Sequence, residues 1–358
     1  MITNTEHRTD TASVDKASVS FMTGPAIRLV QIQNPARRAV AIVGEPYLCL
    51  LSEPTSVMAL AQEALSKGQS LRQLTAERMG RKILDYDSVY RGESEWKLIS
   101  PIDRPEDLSR CIISGTGLTH WGSAKNRAEM HQVSSAEMTD SMRMFQWGKE
   151  RGRPEAGKIG IAPEWFYKGT GANLRAHGEA LEIPAYAEDG GEEAEVAGIY
   201  MIGPDGTPWR IGMATGNEFS DHVFERKNYL NLAGSKMRTC AIGPELVIAP
   251  EFQSVPGRAR IERNGGEIWA KDIRTGEQEM THSLANIEHH HFKFEAHRRP
   301  GDVHVHFFGA HSLSFGDKVQ IADGDVMEIS FQGFGRPLRN PVRVAEGPEA
   351  LVKVSALD

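Results

Sequence analysis

GGEEAEVAGIYMI, residues 190–202, decides how the rest of the chain is read. Its second half alternates as a strand does. On that pattern Glu193 and Glu195 point to one face, roughly 6–7 Å apart along the strand. Two neighbouring carboxylates repel unless water or a cation compensates them. The acidic surroundings, AEDGGEEAE with Glu192 among them, suit a solvated edge. The continuation into VAGIYMI suits burial, and buried carboxylates call for a cation.

The next segment, RIGMATG, reads as a second strand and runs into NEFSDHVFE, 217–225. Glu218 there follows a glycine turn and can bring a third carboxylate beside the first two. Three carboxylates offer hard oxygen ligands, which suit Mg²⁺ or Mn²⁺ with positions left for water or substrate. Eighteen residues further on stands Lys236, in GSKMRTCAIGP. A lysine beside such a site can lose its proton more readily and act as a base; elsewhere it is an ordinary surface lysine.

Working outward, 358 residues with 40% hydrophobic and 25% charged side chains describe a globular chain long enough for one large domain and a smaller one. A net charge of −7 and scattered basic residues argue against nucleic acid as partner. No apolar run reaches the roughly twenty residues of a membrane span. Residues 1–24 read as a disordered polar tail without a signal-peptide core. Cys49, Cys111 and Cys240 lie far apart without CxxC spacing, which implies small buried thiols and a cytoplasmic location.

From Ile27 short strands alternate with turns. SEPTSVMALAQEALSKG predicts a helix capped by Thr55 or Ser56, with Met58, Leu60, Ala61 and Leu65 inward and Gly68 as its stop. SLRQLTAERMG predicts a second. Two prolines place a boundary near Pro101–Pro105, dividing a small domain at 25–104 from a larger one at 105–358. In the latter, Ser134 and Glu137 match a capping box before a helix carrying Met138, Met142 and Phe145. Thereafter strand follows strand, among them KIGIAP, WFYKG, DVHVHFF and KVQI. The class is α+β, β-dominated.

These motifs in register resemble those of the fumarylacetoacetate hydrolase superfamily: the E-x-E strand, NEFS where the family has N-D-x-S, Glu225, Lys236, the IGP at 242–244, PGDVHVHFFG, and GFGRPLRNPV at 333–342. The resemblance spans Pro101 to Val342. It implies a mixed β-roll with a smaller N-terminal α/β domain, assembled as a homodimer. It assigns the metal, Mg²⁺ or Mn²⁺, to Glu193, Glu195 and Glu218, and the active-site lysine to Lys236. Glu218 departs from the family's aspartate, and His222 stands where the family has an arginine. Hydrolases of the superfamily commonly carry G-x-N-Y-x-x-H-x-x-E, whose His–Glu pair activates water. GTGLTHWGSAKNR, 115–127, has no such pair, although His120 and Ser123 could bind substrate. The chain therefore looks more like the branch that dehydrates 2-keto-3-deoxy sugar acids.

The expected substrate is a small-molecule 2-keto acid, a 2-keto-3-deoxypentonate yielding 2,5-dioxopentanoate. A metal ion there would acidify the C3 hydrogens. Lys236 would take a C3 proton, and Glu225 or His222 would help the C4 hydroxyl leave. An acylpyruvate-type hydrolase is the alternative, and a non-catalytic sugar-acid-binding protein is a third. Lys168, in PEWFYKG, resembles a family lysine near the pocket. The histidine-rich stretch 287–309 divides in two. His289, His290 and His291 on a helix diverge by about 100° each and cannot share one ion. His304 and His306 on a strand face one side, and His306 is a candidate for substrate hydroxyls or the leaving group. Ser283 would cap that helix, Pro300 would stop it, and Asp302 would cap a turn.

Overall fold

The structure is a computed structural model, and it describes residues 21, 22, 24, 26–122 and 139–357. The N-terminal part is an antiparallel run of β1 (Ile27–Gln33), β2 (Arg38–Gly44), β3 (Tyr47–Leu51) and β4 (Met79–Asp85), with β5 (Lys97–Ile99) pairing to β1. Between β3 and β4 lie α1 (Val57–Lys67) and α2 (Leu71–Glu77). Ser56 is the α1 cap, accepting from Ala59 N at 3.1 Å, and Gly68 ends the helix at φ 63°. The tail expected over 1–24 lies largely outside the described residues, but Phe21 and Met22 at its end pack against the core.

The boundary expected near Pro101–Pro105 does not interrupt the sheet. β1 pairs with β13 (Leu246–Ile248), and the sheet continues through β11 (Pro208–Asn217), β10 (Ala194–Ile202), β16 (Val303–Phe307), β6 (Cys111–Gly117) and β7 (Glu164–Thr170). The short strands β8 (Leu174–Arg175) and β12 (Cys240–Ile242) complete its 13 strands. One pair within it, β16 with β6, is parallel, and β8 with β12 is another. The second sheet has five strands in the order β15 (Gly266–Thr275), β14 (Val255–Arg263), β17 (Val326–Phe331), β18 (Leu338–Val344) and β9 (Leu181–Ile183). This mixed, β-dominated α+β architecture is the expected class.

Among the described residues the remaining α-helices are α3 (Tyr86–Tyr90), α4 (Asp140–Arg151), α5 (His222–Lys227), α6 (Leu232–Lys236) and α7 (Leu284–Phe292). α4 is capped by Thr139, accepting from Met142 N at 3.3 Å; the capping box at Ser134 and Glu137 and the inward Met138 lie outside the described residues. Several local readings differ. YDSVYRGESEW, 86–96, polar in most of its residues, forms α3 and buries Tyr86 and Trp96. KIGIAP forms no strand because the Asn286 amide takes its backbone, accepting from Gly160 N and donating to Ile161 O, each at 2.9 Å. KVQI forms none either, since Lys318 turns left-handed at φ 62°. α7 begins at its Ser283 cap but ends eight residues before Pro300, and Asp302 accepts from Arg110 Nε at 2.7 Å instead of capping a turn. None of the helices described is long and apolar enough to cross a membrane.

All nine residues of β10 are buried because both its faces are covered. Ala197, Ile199 and Met201 join one core, which includes Val303, Val305 and Phe307 of β16. Ala194, Val196, Tyr200 and Ile202 join another, with Phe292 of α7 and Phe308. Glu193 and Glu195 share the parity of Ala197, so they lie on the first face. The three cysteines are free and buried, and burial pushes the thiols of Cys111 and Cys240 up to about 12.

Candidate active site

The ladder of β10 and β11 runs past their ends. Ala194 pairs with Asn217, Glu218 N donates to Glu193 O at 3.0 Å, and Gly191 and Ser220 exchange backbone bonds at 2.9 and 3.1 Å. That extension sets Glu218 beside the E-x-E pair. Carboxylate oxygens of Glu193, Glu195 and Glu218 lie within 4.8 Å of one another, and all three residues are buried. Two lysines reach them. Lys236 Nζ donates to Glu218 Oε2 at 2.7 Å and to Glu193 Oε1, lies 3.9 Å from Glu225 Oε2, and sits 4.8 Å from the Phe166 ring centre. Lys168, wholly buried, pairs with Glu218 Oε1 and donates to the carbonyls of Phe219 at 2.5 Å and Lys236 at 3.0 Å.

Electrostatics follow from this packing. Burial by itself would lower the Lys236 pKa, but Glu193, Glu218 and Glu225 outweigh it and hold the ammonium well above its ordinary value. Glu195 is the converse: burial, then the charges of Glu218 and Glu193, push it well above the carboxylate range. Its Oε2 accepts from Gly309 N at 2.7 Å. Two lysines thus serve three mutually close carboxylates, and Glu195, which bonds to neither, is pushed up furthest, with Glu218 raised as well by its burial. This all-oxygen donor set fits a hard divalent cation such as Mg²⁺ or Mn²⁺.

Asp221 caps α5 by accepting from Phe224 N at 2.8 Å, which presents His222 and Glu225 to the site. His222 Nε2 meets Glu193 Oε1 at 3.0 Å, and its ring lies 5.2 Å from Phe315. A Cβ on Gly191 would come within 2.6 Å of His222 Nδ1, so only glycine lets the imidazole approach there. A cavity of ≈ 420 Å³ opens over this cluster, and Glu193, His222, Glu225 and Lys236 line it, together with Glu164, Arg226, Tyr229 and the start of α4.

Of the residues expected to bind substrate, Lys168 is in contact with the acid cluster but stands behind it, fixing Glu218 instead of lining the cavity. His306 faces the other way. It pairs with Gly198, so it lies on the β10–β16 face opposite Glu195, with Nδ1 bonded to Ser114 Oγ at 2.8 Å and Nε2 to Thr116 Oγ1 at 3.0 Å. His120 is also buried off the cavity, bonded to Thr119 Oγ1 and Thr275 Oγ1, each at 2.9 Å. Burial pushes both imidazoles down to about 3. Ser123 lies outside the described residues. His304 and His306 share a face as expected, but what they meet is His291, with His304 Nδ1 at 3.0 Å from His291 Nε2. The residue missed in the sequence is Glu164, a 5% exposed carboxylate on the cavity wall, packed so closely on Gly117 that a Cβ there would overlap it. Its only sequence signal was strand parity with Lys168.

No protein-family model matches the chain, and no curated protein matches it in sequence. Solved structures do match in shape. A 2-keto-3-deoxyarabinonate dehydratase superposes with a TM-score of 0.67 at 18% identity, covering 89% of this chain and 100% of that one. A 2-keto-3-deoxy-D-arabinonate dehydratase complexed with magnesium and 2,5-dioxopentanoate gives 0.65 at 18%, with the same coverage. A 5-carboxymethyl-2-hydroxymuconate delta-isomerase from Mycobacterium smegmatis gives 0.52 at 17%, covering 89% and 100%. The chain has the fold of these proteins, the fumarylacetoacetate hydrolase-like mixed β fold expected from its motifs.

Proposed function

We propose that the protein is a metal-dependent hydro-lyase that dehydrates a 2-keto-3-deoxypentonate to 2,5-dioxopentanoate. The observation that carries this reading is the convergence of Glu193, Glu195 and Glu218 within 4.8 Å, with Lys236 against them in the wall of a cavity large enough for a five-carbon acid. Glu193, Glu195 and Glu218 would hold the Mg²⁺ or Mn²⁺. When bound, a divalent cation supplies Lewis-acid polarisation of a 2-keto acid and cancels the carboxylate charge that keeps Lys236 protonated.

Lys236 and Glu225 form the proton-handling pair, with 3.9 Å between nitrogen and oxygen at the cavity wall. Lys236 gives its proton to Glu225 and, now neutral, takes one from C3 of the substrate. The C4 hydroxyl departs as water with the proton held by Glu225. That loss leaves a C3–C4 double bond; transfer of a proton from C5 to C3 shifts it to C4–C5 as the C5 enol, which tautomerises to the aldehyde. His222 holds Glu193 in place, and Glu164, another carboxyl in the cavity lining, would serve the second proton transfer.

An acylpyruvate-type hydrolase needs a base to activate water, and the only histidine of the 115–127 motif, His120, is bonded to two threonines away from the cavity. The test is incubation of the purified protein with Mg²⁺ and 2-keto-3-deoxypentonate. Formation of 2,5-dioxopentanoate is the expected result. Pyruvate with a two-carbon aldehyde would mean aldol cleavage, and metal-dependent binding without turnover would mean a sugar-acid-binding protein; either result rejects the lyase.

A further inference from the structure

Glu192 has no part in the chemistry above. It is 1% exposed, yet it does not line the cavity. Both its oxygens are taken by one residue: Ser314 donates its backbone N–H to Oε1 at 2.7 Å and its hydroxyl to Oε2 at 2.5 Å. Ser314 opens the short turn Ser314–Asp317, in a segment whose Ala310 and Leu313 form part of the cavity wall. Beside it, the Phe315 ring lies 5.2 Å from the His222 imidazole, and His222 in turn meets Glu193. The other end of the segment is tethered separately, by Gly309 N on Glu195. A buried carboxylate is costly unless its hydrogen bonds repay the lost hydration. Here they repay it by fixing one end of a wall segment at the residue next to the ring that touches His222.

We infer that Glu192 is a positioning residue: it clamps Ser314, so that Phe315 packs on His222 and orients the imidazole beside Glu193. Only the kinetic consequence rests on the catalytic reading of this cavity; the geometric claim stands apart from it. Because Gly309 stays bound to Glu195, Glu192→Ala frees the Ser314 end without detaching the segment.

The test uses full-length protein labelled in its histidines, with the His222 ring resonances identified by their loss in His222→Gln. Phe315 imposes a ring-current shift on them, and Phe315→Leu measures its size. Glu192→Ala is expected to move the His222 resonances in the same direction as Phe315→Leu. Glu192→Gln, which keeps the acceptor for Ser314 N–H, is expected to restore them to near the wild-type position. With substrate, Glu192→Ala should lose about ten- to a hundredfold in kcat/KM, as a misplaced catalytic group does. A folded Glu192→Ala protein whose His222 resonances stay at the wild-type position overturns the inference. If that variant does not fold, Ser314→Ala, which removes only the hydroxyl bond, decides: a smaller shift in the same direction supports the clamp, and no shift overturns it. Resonances that move as expected in a protein whose wild type turns over no sugar acid would uphold the clamp and reject the lyase.

Discussion

Lys236 and Lys168 touch the same glutamate from two sides, and they differ in what they are for. Lys236 reaches the cavity, and general acid–base groups typically contribute 10²–10⁴-fold to rate. Lys236→Met is therefore expected to cut kcat by at least about 10²-fold while divalent-cation binding is kept, since the three carboxylates remain. A variant with near wild-type kcat would remove Lys236 from the chemistry. Lys168 is fully buried and never meets the cavity, so its loss removes one of the two lysines that pair with Glu218 and the donor to the Phe219 carbonyl. Lys168→Met should cost about 3–5 kcal/mol of stability, the range for breaking a buried ion pair, read as a lowered midpoint in denaturant. At this scale the sequence was informative wherever chemistry demanded a spacing. Glu193 and Glu195 could be named as a pair because like charges two residues apart on a strand need a reason; Glu218 was suggested by the turn it follows, and Lys236 was assigned by the resemblance of its motif. Glu164 could not, because a lone glutamate before a Trp-Phe-Tyr strand looks the same whether it meets solvent or a cavity.

At the scale of elements, parity decides which side of a strand is chemical. On β16 the odd positions Val303, Val305 and Phe307 share a core with β10, and the even positions carry His304 and His306 to the α7 side. The period-2 rule correctly put both histidines on one face; it could not say that this face looks away from the carboxylates. Trp165 Nε1–H donates to His291 Nδ1 at 3.2 Å, so His291 Nε2–H must donate to His304 Nδ1, and both rings are neutral. Burial holds His304 and His306 at about 3 and His291 well below its ordinary value, with the neighbouring histidines adding to it. For groups depressed on folding, the unfolded chain takes up protons first. Stability is therefore complete above about 6.5 and falls as pH drops from there towards 3, by about 1.4 kcal/mol per pH unit for each such histidine. Urea titrations at stepped pH should show this slope, and His304→Phe should reduce it; an unchanged slope would mean that His304 is charged in the folded protein. Gly309 belongs to the same scale. At φ 104°, and with a Cβ coming within 2.0 Å of Thr119 Oγ1, it admits no side chain. Gly309→Ala should destabilise the fold by about 1–3 kcal/mol and loosen the Glu195 contact, which denaturant midpoints would record.

For the molecule as a whole, the class and the β-dominance were legible because almost every segment of the larger part alternates and is closed by glycine or proline. The unity of the sheet was not. Prolines at 101 and 105 punctuate the chain as a linker would, yet β1 returns to pair with β13, a contact some 220 residues apart in sequence that no local pattern encodes. The first core accordingly contains Leu29, Val40 and Leu60 together with Ile113 and Val305. Heating should then give one cooperative transition seen alike by fluorescence and circular dichroism, whereas two separated transitions would mean that the parts fold independently.

The proposed chemistry needs a cation held by Glu193, Glu195 and Glu218. Its most direct test is titration of the purified protein with Mn²⁺, followed by the electron paramagnetic resonance signal of the free ion. One Mn²⁺ taken up per chain, competed by Mg²⁺ and lost in Glu195→Gln, is the expected result; no uptake by the wild type, or uptake unaltered by Glu195→Gln, would contradict it.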